Sequence, residues 1–346
     1  MIGPEQLAAG QRAENAGDYV AAAAAYRAVV DVPDQALAAQ AQFCLGRVNW
    51  RQGRFSASLD AFLNARALAD RIGDQELFAR VENGIGAVHY ARGDYSAARE
   101  SYASAEARTA DSTMNGKILL NLGVLENIES NFGAALNYYQ RAFDIFEASG
   151  DTASATLALH NRGMVEADLH QWDSADASFL AALSLATDAG NREMMAKTLV
   201  NRSEVLVERD AFADAVEHCD RALEIYADIG EEVGRGEALR WRAHALGRAG
   251  THVEAERNAS EALHIAMRCG ARLLEAESAR TVGVLRELMG DRAGGAKQLR
   301  HALALFTELG AKRDASEVET LLEGPMATLS FDPINSDLES EPLDLR

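Results

Sequence analysis

Helix-breaking residues are scarce in this chain. Of 346 residues five are proline (Pro4, Pro33, Pro325, Pro333 and Pro342), and none falls between Gln35 and Gly324. Nearly the whole length is therefore open to helix. The three cysteines, Cys44, Cys219 and Cys269, form no Cys-x-x-Cys pair and cannot all pair within one chain. That excludes a disulfide-stapled scaffold and fits reduced thiols in a cytoplasmic protein. No apolar run approaches the ~18 residues a membrane helix needs. The start, Met1-Ile2-Gly3-Pro4-Glu5-Gln6, lacks the basic stretch and apolar segment of a secretory signal, so no membrane association is expected. Positive charge is also short: 34 Lys and Arg face 53 Asp and Glu, a net charge of −19. An acidic shell of that size argues against phosphate-backbone binding, and no nucleic-acid partner is expected. Aromatic residues make up only 6%, whereas alanine supplies 66 positions. Small side chains of this kind let helices approach closely.

What is present is a repeat. Gly150, Gly190, Gly230, Gly270 and Gly310 stand forty residues apart, with Gly73 in the same series. Leu119, Leu159, Leu199 and Leu239 form a second ladder. A third is a small residue within each unit: Gly10, Gly46, Gly86, Gly123, Gly163, Ser203, Ala243 and Gly283. One unit reads as a helical hairpin. Leu119, Leu122, Leu125 and Ile128 recur at helical spacing, Ser130-Asn131-Phe132 turns the chain, and Ala135, Tyr139, Ala142 and Phe146 stripe a second helix. Gly150 is expected to close it in the left-handed conformation. One hairpin cannot bury its own apolar faces, so the repeat implies stacking of neighbours.

These residues resemble the tetratricopeptide repeat family. Its pattern is a small residue in the first helix, Gly-x-Tyr at the turn, and Ala-x-x-x-Tyr/Phe-x-x-Ala in the second. Repeat three carries Gly86, Gly93-Asp94-Tyr95, Ala98, Tyr102 and Ala105; repeat two carries Gly46, Gly53-Arg54-Phe55, Ser58, Phe62 and Ala65. Repeats seven and eight depart, with His252 and Arg292 at the aromatic turn position and Ala259 and Leu299 at the large one, and are expected to pack less regularly. The unit is about forty residues rather than the family's usual thirty-four. The resemblance implies an all-α, right-handed superhelical α-solenoid of about eight hairpins over residues 1–323. A helix over Arg313–Leu322 would cap it. Residues 324–346, with three prolines and acids at Asp332, Asp337, Glu339, Glu341 and Asp344, have the composition of a disordered acidic tail.

Chemistry-bearing motifs are missing. There is no Gly-x-Ser-x-Gly elbow, no Gly-x4-Gly-Lys-Ser/Thr loop and no His-Glu-x-x-His. None of the eight histidines pairs with a His or Cys at ligand spacing. Gly84-Ile85-Gly86 reads as tight helix packing, and Cys219 as filler at the large second-helix position. No enzyme activity, metal or cofactor is expected.

The resemblance points instead to binding of a protein or peptide, with first-helix positions lining a groove. Counting the small residue as position eight, that surface takes Arg47, Trp50, Asn83 and Tyr90, then Lys117 and Asn121, His160 and Asn161, Lys197 and Asn201, and finally Arg240, Trp241, His244 and Arg280. Glu237 and Glu277, three residues before Arg240 and Arg280, offer simple i,i+3 surface pairs as the plainer account of both arginines. Lys117 and Asn121, Asn161, then Lys197 and Asn201 also resemble the two-carboxylate clamp of certain cochaperones, with Asn201 where the clamp carries Arg. The expected role is a cytoplasmic, non-catalytic scaffold or adaptor. The alternative is a peptide-sensing regulatory module acting on a second partner, whose output domain would be absent or supplied by another chain. Oligomeric state is not legible.

Overall fold

A computed structural model describes residues 2–323 as seventeen α-helices, with no strand among the described residues. The expected tail, residues 324–346, lies outside the described residues. The chain divides after Gly150 into two compact units, residues 2–150 and 151–323. The first unit holds α1 (Ile2–Asn15), α2 (Tyr19–Arg27), α3 (Gln35–Arg51), α4 (Phe55–Ile72), α5 (Gln75–Ala91), α6 (Tyr95–Glu106), α7 (Ser112–Ile128) and α8 (Phe132–Ser149). The second holds α9 (Thr152–Asp168), α10 (Trp172–Asp188), α11 (Arg192–Glu208), α12 (Phe212–Ile229), α13 (Glu232–Arg248), α14 (His252–Cys269), α15 (Arg272–Leu288), α16 (Arg292–Leu309) and α17 (Lys312–Glu323). Each unit is a stack of four hairpins, and the second ends in the capping helix α17.

The small-residue ladder has a steric cause. Sixteen residues after each small residue comes the side chain that lies on it. A methyl group at Gly10, Gly46, Gly86 or Gly123 would fall 2.4, 2.6, 2.4 or 2.6 Å from the ring of Tyr26, Phe62, Tyr102 or Tyr139. These rings are essentially fully buried, so glycine is what lets the two helices close on them. Gly163 meets Phe179 in the same way. In later repeats both partners change together. Ser203 faces Cys219, whose thiol donates to the hydroxyl at 3.3 Å. Ala243 is matched by Ala259, and Gly283 by Leu299. The looser packing expected of repeats seven and eight is not seen, because Ala259 and Leu299 are 0% and 1% exposed.

Turns and caps repeat with the same register. Seven residues after each small residue the backbone takes a positive φ, at Gly17, Gly53, Gly93, Ser130, His170, Asp210, Gly250 and Gly290. Gly150 closes α8 at φ 73°, as its place before Asp151 predicts, and Gly73, Gly230, Gly270 and Gly310 close their helices likewise. The next residue often caps the following helix: the Asp74 and Asp151 carboxylates accept from Leu77 N and Ser154 N.

The capping helix forms where expected and is two residues longer. Val318 is fully buried, with Ala315, Leu321 and Leu322 packed on the core that holds Leu305 and Phe306.

Candidate functional site

Within each unit the first helices of successive hairpins touch: α3 with α5 and α5 with α7, then α9, α11, α13 and α15 in series. Adjacent helices are offset by about one turn, so in a forty-residue repeat residue i meets residue i+37. This relation joins Phe43 to Arg80, Arg240 to Glu277, His244 to Thr281, and Arg280 to Glu317.

In the first unit the face is aromatic and cationic. Phe43 is buried at 6% exposure, with the Arg80 guanidinium 4.5 Å and that of Arg47 5.8 Å from its ring centre. Arg47 is tied to buried Glu14 by two hydrogen bonds of 2.8 and 2.7 Å, and Glu14 also accepts from Tyr26 Oη. Burial pushes the Tyr26 phenol up, so it stays a donor. Trp50 is half-buried against the same core, and its indole Nε1 has no partner among the described residues. Tyr90 stacks at a tilt on Tyr95, 5.9 Å between centroids. Asn121 donates to Asn83 across α5 and α7 at 3.0 Å, both amides buried. Lys117 lies half-buried one turn earlier on α7.

In the second unit the face is a chain of polar side chains. His160 is 4% exposed. Its Nε2 accepts from Asn201 Nδ2 at 3.2 Å, and its Nδ1 lies 3.1 Å from Thr198 Oγ1. That pairing implies the neutral Nδ1–H tautomer. Burial, with Lys197 adding to it, pushes the imidazole down to about 3. Asn161 is buried beside it with Nδ2 unpartnered among the described residues. Farther along, Arg240 bonds Glu237 at 3.2 Å and contacts Glu277 at 3.3 Å. Against the cost of burial, these carboxylates keep its pKa raised. Half-buried Glu204 is also close by. Burial pushes its carboxyl up to about 8, with Arg240 opposing and Asp168, Glu208 and Glu277 adding to the rise.

The sequence-chosen residues thus divide by setting. Arg47, Trp50, Tyr90, Lys117, Lys197 and Asn201 are half-buried, while Asn83, Asn121, His160, Asn161, Arg240, Trp241, His244 and Arg280 are buried between helices. Lys117 and Asn121 belong to the first unit, and Asn161, Lys197 and Asn201 to the second. The i,i+3 account holds for Arg240 with Glu237, although Arg240 is buried and Glu237 half-buried rather than on the surface. It does not hold for Arg280, which bonds Asp314 and Glu317 of α17 at 3.3 and 3.1 Å. Burial lowers the Arg280 pKa, and burial likewise keeps His244 neutral beside three arginines. Arg80 was missed by position counting, though a signal existed. It stands six residues before Gly86, as Lys117 stands before Gly123 and Lys197 before Ser203.

Among the described residues no group of three or more His, Cys, Asp or Glu is placed to hold a metal ion. No described helix is long and apolar enough to cross a membrane.

Comparison with known proteins gives a consistent picture. The tetratricopeptide repeat profile matches residues 37–111 and 154–228. Among solved structures, the apo form of RapI superposes with a TM-score of 0.68 at 13% identity, covering 93% of this chain and 96% of that one. A Rap protein complexed with competence and sporulation factor gives 0.60 at 14% identity, covering 92% and 96%. Aspartyl phosphate phosphatase F from Bacillus subtilis gives 0.58 at 13%, covering 96% and 97%. At such identities the likeness is one of fold. A search of curated proteins returns no match.

Proposed function

We propose that this chain, whose residues 37–111 and 154–228 match the tetratricopeptide repeat, is a non-catalytic scaffold that binds an extended polypeptide on the first helices of its hairpins. One observation carries the reading. Arg80, Lys117 and Lys197 recur at the same place in three first helices, each half-buried. Held cations at repeat intervals, beside the amides of Asn83, Asn121 and Asn201, suit the backbone carbonyls and the carboxylates of a peptide. The sites are Arg47, Trp50, Tyr90 and Lys117 on the first helices of the first unit, and Lys197 and Asn201 on those of the second, with the buried residues between helices setting their positions. The cytosol is the proposed compartment.

Panning a twelve-residue peptide display library on the full chain tests this. Sequences enriched on the wild type should lose most of their binding on Lys197→Ala. Equal enrichment on a bare support would overturn the reading.

The second reading is a regulator whose ligand changes its engagement of another partner. The neighbour solved with competence and sporulation factor favours it, since the two chains match over nearly their whole lengths. A selected peptide that alters the solution scattering profile would support this reading over the simple scaffold.

A further inference from the structure

Arg80 stands apart from the other half-buried arginines of its unit. Arg47 is held by Glu14, and Arg51 contacts the Tyr19 hydroxyl at 3.4 Å. Arg99 is held by Glu126 and Glu129. Arg80 makes no hydrogen bond or ion pair with any described residue, in a chain with 53 acids. The carboxylates that influence it from a distance are Asp74 and Asp111. Both are engaged elsewhere: Asp74 accepts from Leu77 N, and Asp111 from Thr113 N and Met114 N, at the starts of α5 and α7. The guanidinium instead rests on the Phe43 ring at 4.5 Å.

A guanidinium seated on an aromatic ring has its plane fixed, and its N–H donors remain at the edge for an acceptor. A partly desolvated cation without an acceptor is a cost that a ligand can remove. Burial lowers the Arg80 pKa, and Arg47 adds to that. A bidentate carboxylate matches both the fork and the charge. We propose that Arg80, stacked on Phe43, is the seat for an acidic side chain of the bound polypeptide. The inference rests on the peptide-binding reading and sharpens it, because it states what the first unit selects.

The test uses the full chain and the same twelve-residue library. Peptides selected on the wild type should carry a recurrent Asp or Glu. For the strongest peptide, that acid is changed to its amide, and affinities are measured against wild type, Arg80→Gln and Arg80→Lys. Circular dichroism checks that each variant is folded. The acid-to-amide change and Arg80→Gln should each weaken binding on the order of ten- to a hundredfold. The two together should cost little more than either alone, because they remove one interaction. Losses that multiply independently, or an Arg80→Gln affinity within twofold of wild type, would overturn the seat while leaving peptide binding intact. Full affinity in Arg80→Lys would overturn the stacked-fork geometry. Failure of the library to yield any binder removes the parent reading and this inference with it.

Discussion

The two units are built by one repeat and differ in how they satisfy charge. In the first, small glycines receive Tyr or Phe rings, and the first helices carry the cations Arg47 and Arg80 around Phe43. In the second, the ring-on-glycine pairing fades to Ser203 with Cys219 and Ala243 with Ala259. There the first helices are laced by histidine, amide and ion-pair contacts such as His160 with Asn201 and Arg240 with Glu277. A repeat needs only matched volumes at the hairpin core. Its contacting helices are therefore left free to diverge in chemistry.

The comparison can be broken most forcefully through the core. Leu119 and Leu199 occupy equivalent places and are both 0% exposed. Each Leu→Ala change should cost on the order of 2–5 kcal/mol. Since a repeat rests mainly on its neighbours, the loss should be read by the tryptophans of the same unit: Trp50 for Leu119→Ala, and Trp172 and Trp241 for Leu199→Ala. Urea unfolding followed at both sets of tryptophans, with reporters removed singly, checks this. One shared midpoint shift would show that the units do not respond separately.

A smaller effect tests the matched volumes. Cys219→Tyr should destabilise the second unit by roughly 1–3 kcal/mol through overpacking against Ser203. Adding Ser203→Gly recreates the pairing seen at Gly123 and Tyr139, and should recover most of that loss in thermal unfolding. No recovery would mean that the volume match is incidental.

Acid should also separate the units. The first contains one histidine, His89, and the second contains seven. His160 and His244 have folded pKa values below the ordinary value for histidine. Their contribution is present above about pH 6.5 and is lost as pH falls below it, for His160 toward about 3. His160→Gln should therefore flatten the acid-side decline seen at Trp172 and Trp241. Glu204 works in the opposite sense. Its folded pKa is raised to about 8, so stability is full below pH ~4.5 and declines as pH rises through 8. Glu204→Gln should remove that decline, and melting temperatures across pH 4–9 would reveal it.

The smallest effect lies in the turns. His170 and Asp210 adopt φ of 56° and 57° where Gly53 and Gly93 stand in the first unit. A left-handed non-glycine residue is strained, but glycine gains chain entropy when unfolded. The net gain from His170→Gly should be about 0.5 kcal/mol, measurable in denaturant, and a loss would mean that the His170–Trp172 ring contact matters more.

Much of this was legible because it is local. The forty-residue period, the hairpin turns and the Gly150-type caps each depend on residues within one repeat, and every one appears in the structure. The candidate faces were legible only in part. Position counting singled out Lys117 and Lys197, both half-buried, but passed over Arg80 at the same position. It also treated His160, Asn161 and Arg240 as groove residues, whereas their side chains lie between helices at 4%, 3% and 4% exposure.

The sequence by itself therefore determined an all-α chain of hairpins, the small-and-large partners sixteen residues apart, and the helix that caps the last repeat. Spacing along one chain is enough for these, since helical periodicity and sterics act at short range. Tertiary structure alone decided which charged groups are satisfied. Arg280 finds Asp314 on α17, and among the described residues Arg80 finds only the Phe43 ring. The partner of an inward-facing side chain stands some thirty-seven residues away on another helix. Whether the two meet depends on helix offset and side-chain direction, which no count along the chain supplies.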